Sequence, residues 1–239
     1  MNKTFKTLDQ NDCALKTTRV DIWQFSLDKP ASKADQALLS DDEQTRAKRF
    51  YFERHRRRFT VARSTLRLIL ADYLALPAKD LLFGYNAQGK PHVDHTTSSL
   101  QFNLSHSGEL ALLAVGKTNP LGIDLEFFSA RPYEGIGQQF FSQEENNALR
   151  ALPSRLKPLA FFHVWSQKEA FIKAIGLGLS YPTQRMTMPI LPPTHHGFVD
   201  PEYESNWKVI SFMPKLVCCA ALCYHPSVQD IRYTTRALE

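Results

Sequence analysis

The sequence predicts an α+β protein made of two similar halves. Three observations carry this. First, Val20-Asp-Ile-Trp-Gln-Phe-Ser-Leu27 and Leu121-Gly-Ile-Asp-Leu-Glu126 alternate apolar with other residues, the period of a strand. Second, Ser40-Asp-Asp-Glu43 and Ser142-Gln-Glu-Glu145 each set a serine three residues before a glutamate, the pattern of a reciprocally capped helix start. Third, a long helical pattern and then further strands follow each start. The order strand, short helix, long helix, strands therefore occurs twice, in passes of about 110 residues. The halves divide at Asn119-Pro120 into residues 1–118 and 119–239, and the seam between them is the expected ligand site.

Residues 1–19 are polar and carry little signal. Val20 to Leu27 is the first strand. A helix is expected from the Ser40 cap to about Phe52. A second runs from about Arg54 to Leu74, with Phe59, Ala62, Leu66, Ile69 and Leu70 at core spacing. Gly84, Gly89 and Pro91 mark loops. Strands are expected at 91–94, 100–105 and 110–116, the last two joined by a turn at Ser107-Gly108. In the second half, Gly122 to Glu126 is a strand, and Pro153 interrupts a short helix begun at Ser142. A longer helix covers about Ser154 to Ile175 and stops at Gly176. Pro-rich loops at 189–194 follow, and strands at 206–212 and 216–224 form a hairpin turning at Pro214.

With 43% apolar and 22% charged residues among 239, the chain can bury a core and is not a disordered polymer. A net charge of +5 and a pI near 9.0 favour anionic partners. Cys13 is isolated, and Cys218, Cys219 and Cys223 sit in an apolar run, so they read as small buried residues rather than ligands. The N-terminus has no apolar signal core, and no stretch approaches the ~18 apolar residues of a membrane span. A reduced, cytoplasmic protein with no membrane partner is expected.

On a strand, Asp124 and Glu126 share a face about 6.6 Å apart. On a helix, Glu169 and Lys173 share a face at i,i+4. Alone, the first pair is a solvated strand face and the second an exposed ion pair worth about 0.2–0.5 kcal/mol. Yet Phe161, Phe162, Trp165, Ala170, Phe171 and Ile172 surround Glu169 and Lys173, so these charges are at least partly enclosed and need a counter-charge, metal or ligand. If the helix crosses the strand, three carboxylates and an ammonium converge. Such a site suits a hard divalent cation, and magnesium usually accompanies a phosphate substrate. Phe102-Asn-Leu-Ser-His-Ser-Gly108 ends a strand in a turn, where Ser105, His106 and Ser107 read either as turn hydroxyls and a surface imidazole or as donors to phosphate oxygens. Arg46, Lys48, Arg49 and the run Arg54 to Arg63 with Arg67 give a helix with one apolar and one cationic side. Gly176 and Gly178 permit close approach of a ligand chain. His195-His196 has no further ligand at useful spacing and reads as an exposed loop.

Taken together, Gly122-Ile-Asp-Leu-Glu126 and Trp165-x-x-Lys-Glu-Ala-x-x-Lys-x-x-Gly-x-Gly-Leu179 resemble the two signature motifs of the 4′-phosphopantetheinyl transferases, specifically the monomeric Sfp-like type. Gly89-Lys90-Pro91 and Phe102 to Gly108 resemble that family's two upstream motifs, and the basic helix from Arg46 to Arg67 its N-terminal region. The resemblance implies a monomer of two α/β halves related by pseudo-twofold symmetry. It implies transfer of the phosphopantetheine arm of coenzyme A to a serine of an acidic acyl or peptidyl carrier protein, with release of 3′,5′-ADP. By position, Asp124, Glu126 and Glu169 would hold Mg²⁺, or Mn²⁺ in its place. Lys168 and Lys173 would neutralise phosphate charge, and Glu169 or a metal-bound water would take the serine proton. Lys90, Ser105 and His106 would contact cofactor phosphates, and Arg46 and Arg58 the adenosine 3′-phosphate region. Phe127, Phe128 and Tyr133 would lie near the carrier. Glu43, where some relatives have a basic residue, and Phe59, where some have a small hydroxyl residue, depart from the family at the adenosine end.

Two competing readings are a Mg²⁺-dependent nuclease and a basic nucleic-acid-binding protein. Helix spacing in Glu169-x-x-x-Lys173 disagrees with the strand-borne Glu-x-Lys of such nucleases. The binding module leaves the carboxylates unexplained, so no nucleic-acid partner is expected.

Overall fold

The computed structural model describes residues 4–7, 12–94, 99–130, 132–191 and 194–235. It is a mixed α+β structure of four layers, helix on sheet on sheet on helix, and each interface has its own apolar cluster. The first sheet has β1 (Lys6–Thr7), β2 (Arg19–Ser26), β5 (Leu100–Ser107), β6 (Leu110–Lys117) and β11 (Asp230–Thr235), in the order β1-β11-β2-β6-β5. The second has β7 (Leu121–Phe127), β8 (His195–Val199), β9 (Asn206–Lys215) and β10 (Cys218–Tyr224), in the order β7-β10-β9-β8. A small ribbon pairs β3 (Phe83–Tyr85) with β4 (Pro91–Val93). The helices are α1 (Lys33–Leu38), α2 (Asp41–Lys48), α3 (Glu53–Leu74), α4 (Tyr133–Phe140), α5 (Gln143–Ala151) and α6 (Lys157–Ile175).

Strand alternation sorts the core. In β6, Ala111, Leu113 and Val115 join Trp23 and Phe25 under Val61, Leu66, Ile69 and Leu70 of α3. Leu110, Leu112 and Ala114 face the other way and meet Ile123 and Leu125 of β7 and Ala220 and Leu222 of β10 between the sheets. Cys219, Ala221 and Cys223 turn to Phe161, Phe162 and Phe171 of α6. All four cysteines are buried, as their apolar settings suggest. The boxes at Ser40–Glu43 and Ser142–Glu145 both form, and Gly176 ends α6 at φ 74°.

Several boundaries differ from the sequence reading. α2 stops at Lys48 rather than near Phe52, because Phe52 is already extended as the cap of α3. The β9–β10 hairpin turns at Leu216-Val217; Pro214 lies within β9, where the pairing shifts by a residue and no ladder donor is required. His195 and His196 belong to β8, paired with Ile210 and Val209, not to a loop. Residues 192–193 of the expected Pro-rich loop, and parts of the polar N-terminus, lie outside the described residues. The last strand, β11, crosses back and pairs parallel with β2, so the C-terminal segment completes the first sheet. Among the described residues no helix is long and apolar enough to cross a membrane.

Candidate active site at the seam

The two sheets meet where edge strand β5 faces edge strand β7, and side chains stitch the meeting. Asn103, Ser105 and Ser107 lie two apart on β5 and point to one face. Their oxygens accept the N–H groups of Ile123 (2.8 Å), Leu125 (3.2 Å) and Phe127 (3.1 Å), three otherwise open edge donors. This corrects the expectation that Ser105 is a phosphate donor. Its oxygen accepts from Leu125 and from Lys173 (3.2 Å), and its hydroxyl donates to Asp124 Oδ1 at 3.1 Å.

On β7's other face α6 passes at backbone contact. A Cβ on Gly122 would stand 2.1 Å from the Ala170 carbonyl oxygen and 2.4 Å from the Ala174 nitrogen, so glycine alone permits this approach. The crossing lays Glu169 and Lys173 over Asp124. Lys173 Nζ donates to Asp124 Oδ1 at 2.5 Å; the two side chains are 29% and 4% exposed. Burial disfavours the Lys173 ammonium, but Asp124, then Glu169 and Glu126, outweigh it and hold it charged. Glu169 is pushed up to about 7, first by burial, then by Asp124 and Glu126, against the opposing charge of Lys173.

Lys90, from the β3–β4 ribbon, donates to the carbonyls of Leu121 (3.1 Å) and Ala174 (2.8 Å), tying the ribbon to both β7 and the end of α6. Burial lowers its pKa to about 8. Asn86 Nδ2 adds a bond to the Gly176 carbonyl at 2.8 Å. Lys90, Asn103, Glu169, Lys173 and Gly178 wall a cleft of about 310 Å³.

The other expected residues separate. His106 lies at the exposed end of the β5 face that carries Phe102 and Leu104 toward α3, and desolvation together with Lys173 and Arg58 holds it below the ordinary imidazole range. Arg58 grips Glu109 at 2.7 Å, beside Arg57. Arg46 lies over the Phe59 ring at 5.4 Å and borders a separate cleft with Arg49 and Phe50. Glu43 is buried and accepts from Arg63 and, at 2.7 Å, Arg67, so it organises the interior rather than a nucleotide surface. Lys168 is a correction. It is 2% exposed, on the far side of α6 from the cleft, paired with Glu145 at 2.9 Å and donating to the Thr183 and Met186 carbonyls. Burial pushes Lys168 down and Glu145 up, although each charge opposes that on the other. Phe128 and Tyr133 pack on Phe162 and Phe161.

Among the described residues no three His, Cys, Asp or Glu side chains form a ready metal cage, although Asp124 and Glu126 lie near enough for their charges to act on Glu169. The donors nevertheless fit a cation that completes its shell from phosphate. Asp124 Oδ2 is buried without a hydrogen-bond partner among the described residues, and burial together with the neighbouring carboxylates raises Glu169. Magnesium commonly takes one or two carboxylates plus substrate oxygens and water. Sequence reasoning missed Asn103, Gly122, Asn86 and Glu145. The alternation of Asn103, Ser105 and Ser107 was the available signal for the stitch; the others depend on contacts distant in the chain.

A carboxylate–ammonium pair with a raised glutamate, set in an open seam between two sheets of an α+β protein, marks a candidate active site able to handle a charged substrate. Residues 120–220 match the model of the 4′-phosphopantetheinyl transferase superfamily, and residues 23–118 match that of the 4′-phosphopantetheinyl transferase N-terminal region. The chain is 39% identical over 215 residues to 4′-phosphopantetheinyl transferase HetI of Nostoc sp., covering 87% of this chain and 88% of that protein. It is 37% identical over 164 residues to 4′-phosphopantetheinyl transferase psf-1 of Bacillus pumilus, covering 67% of this chain and 69% of that one. It is also 28% identical over 222 residues to 4′-phosphopantetheinyl transferase Sfp of Bacillus subtilis, covering 87% and 94%. The chain belongs to the 4′-phosphopantetheinyl transferase superfamily.

Proposed function

We propose that the protein moves the 4′-phosphopantetheine arm of coenzyme A onto a serine of an acidic acyl or peptidyl carrier protein and releases 3′,5′-ADP. The serine Oγ forms a bond to the phosphorus that carries the pantetheine. The bond from that phosphorus to the departing 3′,5′-ADP oxygen breaks, and the serine proton passes to Glu169. The observation that carries this reading is the Asp124–Lys173–Glu169 arrangement. A glutamate titrating near 7 suits a general base at neutral pH. Lys173 meets the charge that grows on the leaving phosphate. Asp124 Oδ2 and Glu169, with Glu126 at the rim of the same strand face, would hold Mg²⁺ or Mn²⁺. When bound, that ion supplies Lewis-acid neutralisation of the diphosphate.

In this reading residues 1–118 hold the nucleotide, through Arg46, Arg58 and His106, and residues 119–239 supply the carboxylates and the Lys-Glu helix. Lys90 anchors the cleft through the carbonyls it bonds and lies where a phosphate would pass. The two halves are related by a pseudo-twofold axis, and the protein works as a monomer in the cytoplasm. The test is incubation with coenzyme A, Mg²⁺ and a panel of apo carrier proteins. The expected result is a carrier heavier by the mass of the arm. No gain with any carrier would remove the reading.

A further inference from the structure

The β9–β10 hairpin ends in Leu216 and Val217, whose exposures are 78% and 53%. Two-residue turns ordinarily use Asn, Asp or Gly. Neither residue here is in the left-handed region, so the turn itself does not demand a particular residue. Two apolar side chains held in water at a tight tip therefore have no local structural reason.

Their place in the fold supplies one. Cys218 stands opposite Phe127 of β7, and the Phe128 N–H donates to the Val217 carbonyl at 2.9 Å, so the tip is fixed to the end of the strand that bears Asp124 and Glu126. Val217 adjoins Phe128, four strand steps from Asp124, or about 13 Å at about 3.3 Å per residue. A protein that presents a serine at Asp124 covers a patch of about 800 Å², a disc of about 16 Å radius. The tip falls within that disc. Exposed Lys215 stands beside it, a cation next to an apolar pair.

We infer that Lys215-Leu216-Val217 is a docking finger for the carrier protein. It inserts its apolar pair against the surface flanking the accepting serine, with Lys215 on a neighbouring carboxylate of the acidic carrier. This rests on the transfer reading above and adds a partner contact to it.

The test compares wild type, the double variant Leu216→Ser/Val217→Thr and Lys215→Glu. Binding of an apo carrier is measured by calorimetric titration without coenzyme A, and transfer is measured by steady-state kinetics. Both variants are expected to melt with wild type, since the tip packs against no core. The double variant should raise the carrier Kd and KM about tenfold, with KM for coenzyme A and kcat at saturating carrier within twofold of wild type. Lys215→Glu should raise carrier KM at low salt and approach wild type at high salt. Unchanged carrier Kd and KM in both variants, with wild-type transfer intact, overturns the finger alone. Absence of transfer by wild type overturns the enzymatic reading. A wild-type dimer that the double variant makes monomeric would show the tip to be a self-contact and also overturns the finger.

Discussion

The Lys173 ammonium rests 2.5 Å from Asp124 Oδ1, while the buried Asp124 Oδ2 has no hydrogen-bond partner among the described residues. One carboxylate thus presents a neutralised oxygen and an open one. A single charge on Lys173 satisfies half of the group, and the other half awaits a cationic or donor ligand.

Asp124→Asn separates these roles. It keeps the shape and an acceptor for Lys173, but removes the charge at Oδ2. We expect it to lower metal-dependent kcat/KM by about 10²–10⁴-fold, with some loss of stability because Lys173 loses its main counter-charge while Glu169 and Glu126 still face it. Rates of carrier modification across a Mg²⁺ titration are the measurement. A variant within fivefold of wild type would remove Asp124 from the chemistry.

Glu169 makes two pH predictions. Activity needs its ionised form, so kcat/KM in scarce Mg²⁺ should rise with pH through about 7, and the limb should move to lower pH as Mg²⁺ increases. Stability runs the other way. The folded pKa lies above the unfolded value of 4.5, so this stabilisation is full below about 4.5 and lost as pH rises through about 7. Glu169→Gln should therefore gain on wild type by about 3 kcal/mol between pH 4.5 and 8 without added metal, read from urea midpoints at both pH values. Parallel curves would contradict it.

The sequence carried the site's two elements because each has its own period. Alternation put Asp124 and Glu126 on one strand face, and helical spacing joined Glu169 to Lys173. It missed what lies between them, because a close crossing is a property of two distant backbones. Adjacent Lys168 and Glu169 both looked like site residues, yet neighbours on a helix point about 100° apart, and only α6's packing shows that Lys168 turns inward to Glu145. α4 was hidden by Gly135 and Gly137, which disfavour a helix by about 1 kcal/mol each; Tyr133, Ile136 and Phe140 packed on the α6 cluster hold it instead. β11 did alternate, at Ile231 and Tyr233, but its parallel place beside β2 is set by a partner some two hundred residues earlier.

Gly122→Ala tests the crossing. The added methyl would meet backbone atoms at 2.1 and 2.4 Å, which cannot rotate away. α6 must lift from β7, drawing Glu169 and Lys173 off Asp124. We expect a loss of about 3 kcal/mol or more in urea unfolding, and activity that falls at temperatures where the protein remains folded. Wild-type stability and activity together would refute the close approach.

Lys168→Met distinguishes an internal ion pair from a phosphate ligand. Lys168 and Glu145 are 3% and 1% exposed at their side chains, so removing the ammonium strands a buried carboxylate beneath the Ser142 cap. The single variant should lose about 3–5 kcal/mol. Adding Glu145→Gln removes the stranded charge, and its one amide oxygen can still accept from either the Ser142 or the Met188 N–H, which the glutamate meets with separate oxygens. The double variant should recover much of the loss, because the isolated charge carries most of it. If Lys168 touched coenzyme A, the double variant would still have a raised KM for coenzyme A. If Lys168 only supports α6 from behind, that KM returns to within about twofold of wild type. Denaturant midpoints and coenzyme A KM, measured on both variants at a temperature where each is folded, decide between the two roles.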